Sequence, residues 1–168
     1  RASLGWSVAT AGDVNGDRYA DIIVGAPEYS STYPNMGRVM VWHGSSSGVN
    51  GGMDGTMSNY AWVREGWEGY KAGWSVSSAG DVNGDGCSDV LVGMPYFYTG
   101  NEEGAVEIFH GSSTGLLNVA ENTDFGNSDS DHFGWSVAFA GDVNGDGYAD
   151  VIAGGPDYDY DYTDEGRA

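Results

Sequence analysis

The chain has 168 residues, with 29 glycines, only 4 prolines, and 6 basic against 25 acidic side chains for a net charge of −19. That balance excludes nucleic acid as a partner and disfavours an anionic membrane surface, since phosphate contacts need a basic face. Glycine at this level without proline signals many tight turns rather than a collagen helix or a disordered linker.

The first predicted strand lies in WSVA from Trp6, inside LGWSVATAGDVNGDRYADIIVGAP, which opens at Leu4. An acidic loop follows, then the continuous apolar run of DIIVGAP, which reads as a buried strand. A polar, Tyr-rich stretch leads to RVMVWHG from Arg38, a third strand closed by a Gly-Ser turn. NYAWVREGW from Asn59 is the weakest element and the expected fourth strand. The pattern restarts as AGWSVSSAGDVNGDGCSDVLVGMP at Ala72, with AVEIFHG behind it, and again as FGWSVAFAGDVNGDGYADVIAGGP at Phe133. The repeats are therefore 4–71, 72–132 and a truncated 133–168, in which Gly166-Arg167-Ala168 aligns with Gly37-Arg38-Val39.

Such internal repetition organises the fold. No amphipathic helix is evident. The expected class is all-β, built of propeller-type blades of four antiparallel strands. Two whole units and part of a third form an incomplete ring. Either the polypeptide continues, or copies of it complete one another through the unpaired strands at each end.

The acidic loops carry the candidate chemistry. Asp13, Asn15, Asp17 and Asp21 occupy loop positions 1, 3, 5 and 9, as do Asp81, Asn83, Asp85 and Asp89, and then Asp142, Asn144, Asp146 and Asp150. Hard oxygen ligands at this spacing suit Ca2+, which accepts six to eight of them. The backbone carbonyls at position 7, from Tyr19, Cys87 and Tyr148, add one each. Magnesium demands stricter geometry. Zinc and copper lack soft side-chain ligands here. An EF-hand would end in a glutamate at position 12, where this chain has Val24, Val92 and Ala153. A plain Asp-Gly hairpin turn is the bland alternative, weakened by three copies with the same four positions. Arg18 replaces the glycine found as Gly86 and Gly147, so the first site is expected to be the weakest.

Other residues read more plainly. Cys87 is the lone cysteine, so no intrachain disulfide forms, and its thiol is a small packing group. His43 and His110 recur in VWHGSSSG and IFHGSSTG as strand-end residues, while His132 has no counterpart. Trp6, Trp74 and Trp135 repeat and are expected between blades. Trp42, Trp62 and Trp67, with Tyr60 and Tyr70, suit a sugar platform, although core packing is favoured for them. The Tyr-rich run from Asp157 is a solvated loop or a contact surface. No nucleophile elbow, zinc-protease helix or phosphate loop occurs, so no enzyme activity is expected. No apolar run reaches the ~18 residues of a membrane span, and no secretory leader is recognisable.

These repeats resemble the FG-GAP family, the units of integrin alpha-subunit β-propellers and of many secreted bacterial proteins. Phe133-Gly134 matches the first half of the name, with Leu4-Gly5 and Ala72-Gly73 as departures. Gly25-Ala26-Pro27 matches the second, with Gly93-Met94-Pro95 and Gly154-Gly155-Pro156 as variants. The resemblance implies calcium in the loop joining the first two strands of each blade. It also implies an extracellular or cell-surface place and a structural or adhesive role, with other copies or other surface proteins as partners. The lone cysteine and the missing glycosylation sequon point to a prokaryotic member. The alternative is a calcium-dependent carbohydrate-binding module of a larger secreted protein or enzyme, with glycans as partners.

Overall fold

The computed structural model describes residues 2–49, 52, 54–100, 102–127, 130–159 and 165–168. Strands β1 (Ser7–Gly12), β2 (Asp21–Ala26), β3 (Arg38–Trp42) and β4 (Trp62–Glu65) form one sheet in that order. Strands β5 (Ser75–Gly80), β6 (Asp89–Met94), β7 (Ala105–Phe109) and β8 (Asn122–Phe125) form a second, and β9 (Ser136–Gly141) with β10 (Asp150–Gly154) a third. Every neighbouring pair is antiparallel. This is the expected all-β architecture of four-stranded blades. In the third unit, Gly155 bridges Arg167 through two hydrogen bonds of 2.8 Å, as Ala26 pairs Arg38 in the first.

The period of two along each strand decides what each sheet packs against. The middle sheet is covered on both faces, and β6 is buried along its whole length. Val90, Val92 and Met94 join Ile23, Val39, Val41 and Trp62 of the first unit in one cluster. The intervening Leu91 points the other way, clustering with Val106 and Ile108 and meeting Phe133, Val137 and Ala153 of the third unit. A bidentate ion pair joins the first two sheets. Arg64 Nε donates to Glu107 Oε2 at 2.9 Å and Nη2 to Oε1 at 2.6 Å, with Glu107 buried. The first strands β1, β5 and β9 lie side by side.

The two recurring glycines of each unit are where the blades interlock. Within a unit, the N–H of Gly5, Gly73 or Gly134 donates to the carbonyl of Gly25, Gly93 or Gly154 at 3.1–3.2 Å. Between units, Ser7 Oγ donates to the Gly73 carbonyl and Ser75 Oγ to the Gly134 carbonyl, both at 2.8 Å. A Cβ on Gly25 would lie 2.0 Å from the Gly73 carbonyl oxygen, and one on Gly93 would lie 2.2 Å from that of Gly134. The serine hydroxyl beside it could turn away, but the backbone carbonyl cannot. Gly93→Ala should therefore push the second and third units apart, at a cost of about 2–3 kcal/mol by analogy with overpacked cores. Urea unfolding of the variant measures this; an unchanged midpoint would refute the contact.

Candidate metal centres

Each acidic loop begins at a bulge. The bulge glycines Gly12, Gly80 and Gly141 have φ of 78°, 73° and 85° and stand opposite Asp21, Asp89 and Asp150 in the register. The extra residue in the first strand turns the chain into the loop. There the carboxylate at position 1 gathers backbone N–H groups. Asp81 Oδ1 accepts from Gly84 and Asp85 at 2.7 and 3.1 Å, and its Oδ2 from Gly86 at 2.9 Å. Asp142 repeats the pattern with Gly145, Asp146 and Gly147, and Asp13 with Asp17 and Arg18.

Position 3 closes on the same turn. The side-chain oxygens of Asn15, Asn83 and Asn144 accept from the N–H of Asp17, Asp85 and Asp146 at 2.8–3.2 Å, and each amide nitrogen donates to the same aspartate's carboxylate. Positions 1, 3 and 5 are thus brought together in all three loops. The N–H groups of Tyr19, Cys87 and Tyr148 complete the turn by donating to the position-5 carboxylate at 2.9 Å. These bonds hold the Asp17 carboxyl below its ordinary value, the Tyr19 N–H contributing most and the Asn15 amide next.

The ninth-position aspartates behave differently. Asp21 and Asp89 have no exposed surface. Asp21 Oδ2 accepts from Val14 N–H at 2.9 Å and Oδ1 from Gly44 N–H at 2.7 Å. Asp89 does the same with Val82 and Gly111, both at 2.8 Å. Each therefore staples its loop to the end of the third strand. Burial pushes both carboxyls up, against the pull of those N–H donors. Asp150 accepts from Val143 N–H at 2.8 Å but is only half-buried.

Neighbouring loops are chained together. The Asp13 carbonyl accepts from Ser88 N–H at 2.8 Å, and the Asp81 carbonyl from Ala149 N–H at 3.1 Å. The side chain at position 7 packs on the preceding loop: Cys87 Sγ faces Gly16 and the Tyr148 ring faces Gly84. The buried Cys87 thiol is pushed up, by burial first and then by Asp85, Asp13, Asp81 and Asp89. A protonated thiol there is inert packing. Arg18 takes φ of 73° where Gly86 and Gly147 take 89° and 93°, so its side chain bears a left-handed backbone.

Among the described residues, no three His, Cys, Asp or Glu side chains lie in the arrangement that holds a metal by themselves. The donor set of each loop is instead mixed: two carboxylates and an amide oxygen gathered on one turn, with a third carboxylate anchored beside them. An ionised carboxylate offers about four acceptor positions. Asp89 uses two of its own on N–H groups, and the buried charge has no ion-pair partner among the described residues. All these donors are hard oxygens, and the set fits a hard cation in its chemistry.

The remaining candidates divide. His110 Nδ1 lies 3.2 Å from the Asn83 amide nitrogen, so this strand-end histidine faces the second loop. The Nε2 atoms of His43 and His110 are both enclosed, with no hydrogen-bond partner among the described residues. Trp6, Trp74 and Trp135 form a ladder across the three units, with ring centroids 5.0 and 4.9 Å apart. Its ends are open, with Trp6 53% exposed. Trp42 and Trp62 are core residues, whereas Trp67 is 60% exposed. Of the Tyr-rich run from Asp157, residues 160–164 lie outside the described residues.

Comparison with known proteins agrees with this architecture. The family model described as FG-GAP repeat matches residues 4–42, 72–109 and 133–168. The chain is 34% identical over 167 residues to integrin alpha pat-2 of Caenorhabditis elegans, covering 89% of this chain and 13% of that protein. Integrin alpha-6 of Gallus gallus is 31% identical, with 91% and 13% covered. Phosphatidylinositol-glycan-specific phospholipase D of Bos taurus is 35% identical, with 91% and 18% covered. The chain thus spans less than a fifth of each of these relatives. With three units matched over more than half of its length, the chain belongs to the FG-GAP repeat family.

Proposed function

We propose that this chain is a calcium-stabilised, extracellular adhesive or structural element without chemistry of its own. The observation that carries the reading is the threefold loop, in which positions 1, 3 and 5 converge on one turn and position 9 is a carboxylate that is fully buried in the first two units, with no ion-pair partner among the described residues. Asp81, Asn83, Asp85, the Cys87 carbonyl and Asp89 would hold the ion in the second unit. Asp13, Asn15, Asp17, the Tyr19 carbonyl and Asp21 would do so in the first, and Asp142, Asn144, Asp146, the Tyr148 carbonyl and Asp150 in the third. A bound calcium supplies charge neutralisation and ties each loop to the strands behind it. The resemblance to integrin alpha chains supports a place at the cell surface and a role in adhesion. The partners are other surface proteins or further blades of the same kind, since β-sheet faces and edges of this type pair readily with like strands.

Calorimetric titration of chelator-stripped protein tests the reading. Three calcium ions per chain are expected, one bound more weakly than the others. Arg18→Gly should bring the weak site level and stabilise the fold by about 1 kcal/mol, because glycine adopts the left-handed backbone without strain. Absence of calcium uptake would overturn the reading.

A further inference from the structure

The loops at the end of the blades opposite the acidic turns build a second, unrelated site. Tyr33 comes from the β2–β3 loop, Trp67, Glu68 and Tyr70 from the β4–β5 loop, and Tyr98 from the β6–β7 loop. Together they line an open groove of about 500 Å³. Trp67, Tyr98 and Tyr33 are 60%, 54% and 39% exposed, so their faces are not spent on the core. Exposed apolar side chains are ordinary one at a time, but here three aromatic faces converge on one groove.

The groove is held rigidly. Gly69 and Lys71 N–H donate to the carbonyls of Pro34 and Asn35 at 3.1 Å, fastening the β4–β5 loop to the β2–β3 loop. The Tyr70 hydroxyl donates to the Tyr98 carbonyl at 3.1 Å, and its ring packs on Phe97 at 4.4 Å, joining the first unit to the second. Tyr33 and Trp67 lie 6.2 Å apart between centroids, inclined at 41°. Binding here would order few side chains, which removes much of the usual entropic cost.

We propose that this groove binds a neutral oligosaccharide. Pyranose rings present C–H faces that stack on Trp and Tyr, and hydroxyls that donate to a carboxylate such as Glu68 or bond to tyrosine hydroxyls. A net charge of −19, with Glu68 in the groove itself, excludes sulfated, sialylated or phosphorylated ligands. A Lys- and Arg-rich peptide is the rival occupant, separated from a neutral glycan by the test below. The site rests on none of the calcium ligands, so the proposal stands or falls independently of the metal reading.

The test is an array of neutral and acidic oligosaccharides probed with calcium-loaded protein, followed by titration of the best neutral binder under tryptophan fluorescence. Neutral glycans should bind and acidic ones should not. Trp67→Ala should weaken binding at least tenfold, and Trp67→Phe should recover part of it. Both variants should keep the parent melting temperature, since Trp67 is mostly in solvent. No neutral binder, binding confined to acidic glycans, or binding indifferent to Trp67→Ala and Tyr98→Ala would each overturn the proposal. Preference for a Lys- and Arg-rich peptide over every neutral glycan would overturn it too.

Discussion

Chelating calcium from this protein is expected to lower its melting temperature by on the order of 20 °C. A site held at a hundredfold excess over its dissociation constant stabilises the folded state by about 2.7 kcal/mol, so three contribute roughly 8 kcal/mol. For a chain of this size each kcal/mol moves the midpoint by about 2–4 °C. Two physical causes act together. Three divalent ions add six positive charges, bringing the net charge from −19 to −13. They would also give the buried carboxylates of Asp21 and Asp89 a counter-charge, for which neither has an ion-pair partner among the described residues. Sodium chloride separates the causes, since it screens exposed repulsion but leaves buried sites almost untouched. If concentrated salt restored the full melting temperature without calcium, general charge relief would be the explanation and the specific sites would be lost.

Arg64→Ala should destabilise the fold by about 3 kcal/mol, the lower part of the range for stranding one member of a buried ion pair. Glu107 keeps 7% of its side-chain surface exposed and receives both its bonds from Arg64, whose own side chain is 29% exposed. The loss falls on the contact between the first two units, because β4 and β7 belong to different sheets. The double variant Arg64→Met, Glu107→Leu should recover most of the stability, since two apolar side chains need no counter-charge. A double-mutant cycle by urea unfolding isolates the pair. An Arg64→Ala variant within 0.5 kcal/mol of the parent, on the scale of ordinary surface substitutions, would show that water reaches Glu107 freely.

Much of the fold was legible because apolar runs mark strands buried on both faces. DIIVGA and DVLVGM became β2 and β6, and RVMVW and AVEIF became β3 and β7. The fourth strands were faint for a physical reason. β8 reads NTDF and is largely exposed, so its strand state comes from pairing with β7 rather than from burial. In the loops, the spacing of Asp and Asn foretold which side chains would converge. It did not foretell that Asp21 and Asp89 would be sealed from water, because that depends on Gly44 and Gly111, more than twenty residues further on.

Core packing, favoured from sequence for all three, holds for Trp42 and Trp62, which sit on strands and point inward; Trp67 lies in the loop after β4, outside the alternation that buries the others, and is exposed. The aromatic groove draws on three separate loops; the Tyr-rich character of two of them repeats, but Trp67 of the third has no counterpart in the pattern. Arg64 and Glu107 stand 43 residues apart with nothing in the pattern to pair them.

The glycine lock between units has a genetic corollary. Gly25 meets Gly73 as Gly93 meets Gly134, so the same glycine contact recurs at both joints between units. Excising residues 72–132 would seat Gly134 against Gly25 through the same Ser7 bond, and duplicating them would lengthen the array. Unequal crossing-over in register could therefore alter the number of units while reusing this glycine contact, whereas a breakpoint inside a unit would leave half a sheet unpaired.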